Sequence, residues 1–240
     1  MIMRKTRLFC IPYAGGSAII YTRWKKYLNS SIELCPIELA GRGIRSSEPP
    51  FSDLKQVVED VYSQIYYQIN GGPYVLFGHS MGSLIVFELY HKIKNQNRST
   101  PLHIFFSGRN APNINKNTEF YKMSDIDFKK EILKYNAIPD IVFDNEIIYR
   151  YFMPILRADY RVIDSYKYIP KKMKISCQVT VLNGLDDVDI KFSELDKWND
   201  LVQEECTFCN FSGGHFFINE RMKEVVEVIN DTIYKNTQNQ

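Results

Sequence analysis

The sequence predicts an α/β protein with a mostly parallel sheet and helices on both faces. Three observations point there. Short apolar runs rich in β-branched and aromatic residues recur at residues 7–11, 32–39, 74–77, 102–108, 178–184 and 206–211. Segments of helical character separate most of them, and strands spaced by helices join in parallel. No repeat, low-complexity stretch or linker divides the 240 residues, a length that suits a single domain over 1–240.

Composition excludes several function classes. With 45% hydrophobic and 24% charged residues and a net charge of +2, the chain offers no footing for nucleic acid or a membrane surface. Its longest apolar runs fall far short of the roughly 18 residues that a membrane span needs. Arg4-Lys5-Thr6-Arg7 before Leu8-Phe9-Cys10-Ile11 imitates a signal peptide, but Pro12 ends the apolar run too early. A first strand and a cytoplasmic protein are expected instead. The five cysteines are odd in number and mostly embedded in apolar runs, as reduced buried thiols would be. Cys206-Thr207-Phe208-Cys209 has C-x-x-C spacing, yet an extended strand points the two thiols apart and no second pair completes a zinc site.

Taken in order, the first strand runs into Pro12-Tyr13-Ala14-Gly15-Gly16-Ser17, a tight loop able to present a free N–H. Residues 21–28 read as a helix, 32–39 as a strand, and Ala40-Gly41-Arg42-Gly43 as a loop. Leu54, Val57, Val58, Val61, Ile65 and Ile69 recur at helical spacing across residues 51–69, before Gly71-Gly72-Pro73 stops the helix. Tyr74-Val75-Leu76-Phe77 then leads into Gly78-His79-Ser80-Met81-Gly82-Ser83, followed by an unbroken apolar segment from Leu84. That is a G-x-S-x-G motif in a strand–turn–helix setting, the context of a nucleophile elbow. A Cβ two residues either side of Ser80 would crowd the turn, which explains Gly78 and Gly82. The Met81 N–H, beside Ser80 at the helix start, and the Ala14 N–H of the first loop are the expected oxyanion donors.

After the strand at 102–108 the alternation breaks. Residues 110–170 carry polar turns, helical pieces at 125–135 and 144–151, and an aromatic-rich stretch to Tyr168, which together read as an inserted helical lid. The pattern resumes with the strands at 178–184 and 206–211 and a closing helix over 222–234. Residues 236–240 are expected to fray.

A serine nucleophile needs a base and an acid, in this fold in the order Ser, acid, His. Of the four histidines, His79 sits inside the elbow, His91 lies along its helix, and His103 opens a strand at the wrong end. His215 remains, in Ser212-Gly213-Gly214-His215 after the last strand. The acid follows the strand ending at Gly184, where Asp186, Asp187 and Asp189 compete; Gly-x-x-Asp spacing favours Asp187. The chemistry expected is acyl transfer to Ser80 and then to water, with no metal or organic cofactor.

These residues spell a resemblance. The chain resembles the stand-alone type II thioesterases of nonribosomal peptide and polyketide synthesis, which are α/β-hydrolases. Nearly the whole length takes part: Phe9-Cys10-Ile11-Pro12-Tyr13-Ala14-Gly15-Gly16, Gly41-Arg42-Gly43, the elbow, Ser107-Gly108-Arg109-Asn110-Ala111-Pro112, Met153-Pro154-Ile155-Leu156-Arg157-Ala158-Asp159-Tyr160 and Gly213-Gly214-His215-Phe216-Phe217. The chain departs from the family at Ala40, where proline is usual, and lacks the proline that commonly follows the acid. The resemblance implies hydrolysis of acyl groups from the phosphopantetheine arms of acyl or peptidyl carrier domains supplied in trans. Carrier domains tend to be acidic, so Lys171-Lys172-Met173-Lys174 is a candidate docking run, with a solvated surface the plainer reading. A carboxylesterase or lipase with the same triad, a chain-releasing enzyme and a non-catalytic scaffold are the alternatives. With no heptad in the sequence, a monomer is expected.

Overall fold

The computed structural model of the protein describes residues 4–114, 118–134 and 144–238. Six strands form one wholly parallel sheet: β1 (Thr6–Ile11), β2 (Ile32–Pro36), β3 (Tyr74–His79), β4 (His103–Ser107), β5 (Gln178–Gly184) and β6 (Thr207–Phe211), in the order β2-β1-β3-β4-β5-β6. The central β3 and β4 are buried at every residue, which explains their continuous apolar sequence. Alternate residues of each strand serve opposite layers. Phe9, Leu76, Ile104 and Val181 pack with α1 (Leu54–Ile65) and α2 (Met81–Asn95) on one face. Leu8, Val75, Phe105 and Leu182 pack on the other with Tyr21, Trp24 and α6 (Met222–Gln238). Helices thus cover both faces, as expected.

Several elements differ in form from the sequence reading. The segment expected as a helix over 21–28 consists of successive 3-10 turns, Ala18–Lys26. The second strand ends at Pro36, short of the expected 39, with one last bond from the Ile37 N–H to the Cys10 carbonyl at 2.9 Å; as an edge strand it tolerates a proline that has no N–H to give. Helix α1 is shorter than its periodic pattern at both ends: Asp53 caps its start by accepting from the Gln56 N–H at 3.1 Å, and after Ile65 the chain continues in turns, with the Gln68 N–H on the Ile65 carbonyl at 2.8 Å. Between β4 and β5 lie α3 (Asp125–Leu133) and α4 (Glu146–Asp164); the expected end of the former at Tyr135 is outside the described residues. Helix α4 is one continuous element where a short helix and an aromatic stretch were expected. Pro154 sits inside it and is tolerated, since Met153, Ile155, Leu156 and Val162 are buried on either side and tertiary packing outweighs one lost hydrogen bond. Of residues 236–240, expected to fray, 236–238 are the last of α6, with the Asn236 amide 3.0 Å from Nδ1 of His103, and 239–240 are outside the described residues. Short α5 (Phe217–Glu220) precedes it.

The two C-x-x-C thiols serve different layers, Cys206 in the core on the α1/α2 side and Cys209 against the α6 side. Burial pushes the Cys206 thiol up to about 12, as suits an inert packing group. No helix among the described residues is long and apolar enough to cross a membrane.

Two histidines set a pH limit on this core. Burial lowers His103, whose Nε2 lies 2.8 Å from Oγ1 of Thr180, to about 4. Burial, aided by Lys171, does the same to His91. Both bind a proton more readily unfolded than folded. Their contribution is therefore complete above the ordinary value of 6.5 and is lost as pH falls from there towards 4. Urea unfolding between pH 7.5 and 4.5 should show stability falling by up to about 3 kcal/mol per histidine. His103→Gln should remove its share of that slope, and a slope unchanged in the variant would contradict the assignment.

Candidate active site

Ser80 stands between β3 and α2 with φ +54° and ψ −112°, a backbone that side-chain-bearing residues rarely adopt. Strain of this kind costs about 1–3 kcal/mol and persists only where the surroundings enforce it. The enforcement here is visible. A Cβ on Gly78 would lie 2.2 Å from the Gly82 carbonyl oxygen, and one on Gly82 would lie 2.3 Å from the Ile11 carbonyl oxygen. Helix α2 therefore starts in backbone contact with both β3 and β1. The Ser80 N–H donates to the Ser107 carbonyl at 2.8 Å. The buried Ser83 hydroxyl bonds to the Gly78 carbonyl (2.7 Å), the Ser107 carbonyl (2.9 Å) and the Ser107 N–H (2.9 Å), clasping the ends of β3 and β4.

Parallel strands bring the loops after β3, β5 and β6 to one edge. There Nε2 of His215 lies 2.9 Å from Oγ of Ser80, and its Nδ1 lies 2.7 Å from Oδ2 of Asp187. Both partners of the latter pair are buried, and Oδ1 of Asp187 accepts from the Asp189 N–H at 2.9 Å. The carboxylate is thus fixed on both oxygens. Asp186 turns the other way and accepts from the Gly213 N–H at 3.3 Å. Of the competing aspartates it is Asp187 that meets the imidazole.

Met81 is the first residue of α2, so its N–H has no acceptor within the helix. The Ala14 N–H likewise has none among the described residues; its loop turns through a Gly16 N–H to Tyr13 carbonyl bond of 2.9 Å. Ala14, Ser80 and His215 line one cavity of about 130 Å³, walled further along by Leu156, Tyr160 and Ile163 of α4. Arg109 also borders it, its guanidinium lowered by burial against the pull of Tyr166, Asp189 and Asp164.

The site also uses residues that the sequence reading passed over or set aside. His79, discarded as a base, packs its ring 5.2 Å from that of His215 and bonds through Nδ1 to Oγ of Ser107 at 2.8 Å. Burial, then the neighbouring His215, holds His79 well below the ordinary histidine value, so it stays neutral and adds no charge against a proton on His215. Tyr13 and Phe216 complete an aromatic collar, edge-on to one another at 4.8 Å. The G-H-S motif itself, which buries a histidine against the base, is the signal that could have shown this. Of the lysine run, Lys171 is taken by Glu88 at 2.6 Å, leaving Lys172 and Lys174 exposed. Among the described residues no group of three His, Cys, Asp or Glu gathers as a metal would require.

A parallel sheet carrying a strained serine at a strand–helix elbow, with a histidine and an acid from later strands, defines an α/β-hydrolase. Comparison with known proteins narrows the class. Residues 6–233 match the Thioesterase domain family, and the chain belongs to it. It is 37% identical to the gramicidin S biosynthesis protein GrsT of Aneurinibacillus migulanus over 93% of this chain and 87% of that protein. The crystal structure of ClbQ from the colibactin NRPS/PKS pathway superposes with a TM-score of 0.93 at 32% identity, covering 98% of this chain and all (100%) of that one. The thioesterase RedJ of the prodiginine pathway in Streptomyces coelicolor gives 0.88 at 25% identity, covering 95% and 86%. The protein is accordingly an enzyme that hydrolyses thioesters.

The geometry separates the two adjacent aspartates experimentally. Asp187→Asn should lower kcat by about 10⁴-fold, because the imidazole loses the acceptor that fixes its tautomer. Asp186→Asn should cause a far smaller loss. Steady-state hydrolysis of an acyl thioester by both purified variants checks this, and the reverse ranking would reassign the acid.

Proposed function

We propose that this protein is a type II thioesterase that removes acyl groups from carrier domains in trans, with Ser80 as nucleophile, His215 as base and Asp187 as its orienting acid. The observation that carries the reading is the continuous hydrogen-bonded chain from Ser80 through His215 to Asp187, opening on a cavity that Ser80, His215 and Ala14 line. His215 takes the Ser80 proton as Oγ attacks the thioester carbonyl. The N–H groups of Met81 and Ala14 stabilise the oxyanion. Collapse expels the pantetheine thiol, protonated by His215, and leaves an acyl-enzyme, which water activated by the same imidazole hydrolyses. No step calls for a metal or organic cofactor.

Three considerations support carrier-bound substrates. The relatives GrsT and ClbQ are named for peptide and mixed peptide–polyketide pathways, and RedJ for prodiginine biosynthesis. The cavity wall contributed by Leu156, Ile163 and Ile132 is apolar and suits an acyl chain. Ile132 of α3 and Leu156, Tyr160 and Ile163 of α4 line the same cavity as Ser80, which supports reading this part of the chain as a lid, inserted in a single domain, that regulates entry of a long flexible arm. A cytoplasmic monomer is part of the same reading, and its free thiols fit a reducing compartment.

The test is deacylation followed by mass spectrometry, with acetyl, malonyl and longer acyl groups loaded on a purified carrier domain. Wild type should strip them, and Ser80→Ala should lose at least about 10³-fold in rate. A carrier that stays loaded while a simple oxygen ester is cleaved would make the protein a carboxylesterase instead. Unchanged function of Ser80→Ala in the cell would favour a scaffold.

A further inference from the structure

A second buried polar cluster lies against the loop that carries Ala14, and the mechanism above does not use it. Asp159 of α4 and Arg42 of the loop after β2 form a two-pronged ion pair, with Nη1 to Oδ2 at 2.6 Å and Nη2 to Oδ1 at 2.8 Å. Their side chains are only 4% and 5% exposed. Oδ2 of Asp159 also accepts from the Gly15 N–H at 2.7 Å, and Nη1 of Arg42 donates to the Gly16 carbonyl at 3.2 Å. The loop that carries Ala14 is therefore gripped by one charged pair on the peptide units either side of the Gly15–Gly16 bond.

Packing repeats the contact. Gly15 has φ +74°, and a Cβ there would lie 2.7 Å from Cζ of Phe152 and 3.0 Å from Cδ1 of Leu156, both on α4. Helix α4 thus meets this loop through two apolar side chains and one carboxylate. A buried ion pair contributes little net stability, because desolvation offsets most of the attraction. Its directional geometry is what it adds. With the Gly15 N–H, the Gly16 carbonyl and the Gly16 N–H all engaged, the peptide bearing the Ala14 N–H has little freedom left.

We propose that Asp159, locked by Arg42, is a positioning residue for the oxyanion hole: it holds the Ala14–Gly15 segment so that the Ala14 N–H meets the oxyanion, and it makes that donor depend on α4 being seated. The inference rests on the assignment of Ser80, Met81 and Ala14 above. Seating of α4 over a bound acyl group and completion of the hole become one event, and an enzyme with α4 displaced has a nucleophile but only one donor.

The experiment compares wild type, Asp159→Asn and the double variant Asp159→Asn/Arg42→Gln, which leaves no buried charge unpaired. Turnover of an acylated carrier is measured with the inhibition constants of two substrate analogues. One is a trifluoromethyl ketone, whose carbonyl carbon bonds to Oγ of Ser80 as the C=O pair moves onto oxygen, an alkoxide that occupies the hole, while His215 takes the proton. The other is a planar amide that stays unreacted. The proposal expects kcat to fall about 10- to 100-fold with KM little changed. Ketone binding should weaken by the same factor, and amide binding should hold. Arg42→Lys, which keeps the charge opposite Asp159, should recover part of the loss. Folded variants that bind the ketone as tightly as wild type, or lose both analogues equally, would overturn the positioning role in favour of a structural staple. If wild type itself fails to form the ketone adduct, or Ser80→Ala still turns over, the catalytic assignment falls and this proposal with it.

Discussion

The close approach of α2 to β1 and β3 is the constraint on which the site depends. It can exist only because Gly78 and Gly82 lack Cβ atoms that would stand 2.2 and 2.3 Å from neighbouring carbonyl oxygens. That approach forces Ser80 into its positive φ, lifts Oγ above the sheet edge and aims the first N–H groups of α2 at the same space. The buried Ser83 hydroxyl, in contact at once with β3 and β4, shows how such strain is retained: its one proton is shared between the Gly78 and Ser107 carbonyls and its oxygen accepts from the Ser107 N–H, tying the turn to strands that are themselves fully buried.

Around that fixed serine the remaining groups arrive from separate parts of the chain. Asp187 follows β5 and His215 follows β6, brought together because every strand of the sheet runs the same way. The site keeps its charges few. His79 is held neutral by burial beside His215, and Asp187 spends both oxygens on local hydrogen bonds. A low-dielectric surround of this kind strengthens the imidazole–carboxylate contact. The buried ion pair Arg42–Asp159 connects the Ala14 loop to α4.

The parallel architecture was legible because buried strands and amphipathic helices differ in apolar period, and the elbow because its glycines are required by contacts local in sequence. His215 was legible by elimination among four histidines. Element form was less so. The 3-10 turns over Ala18–Lys26 and the unbroken α4 through Pro154 depend on what packs against them, which no local propensity encodes. The frayed end expected from polar residues is instead anchored, since Asn236 finds His103 at the start of a strand more than a hundred residues earlier in the chain, the two being 133 positions apart.

By itself the sequence determined the fold class, the elbow serine with its glycine frame, the histidine proposed as base, and a family resemblance now matched over residues 6–233. Each of these rests on short-range spacing or on a motif whose residues lie close together. Only tertiary structure decided between Asp186 and Asp187, which have the same chemistry and adjacent positions but opposite hydrogen-bond partners. It alone brought Arg42, Asp159 and Gly15 together, across 117 and 144 positions of sequence. Hydrogen bonds are read in ångströms and degrees, and the chain's order carries no such measure until the sheet and its helices have set the distances.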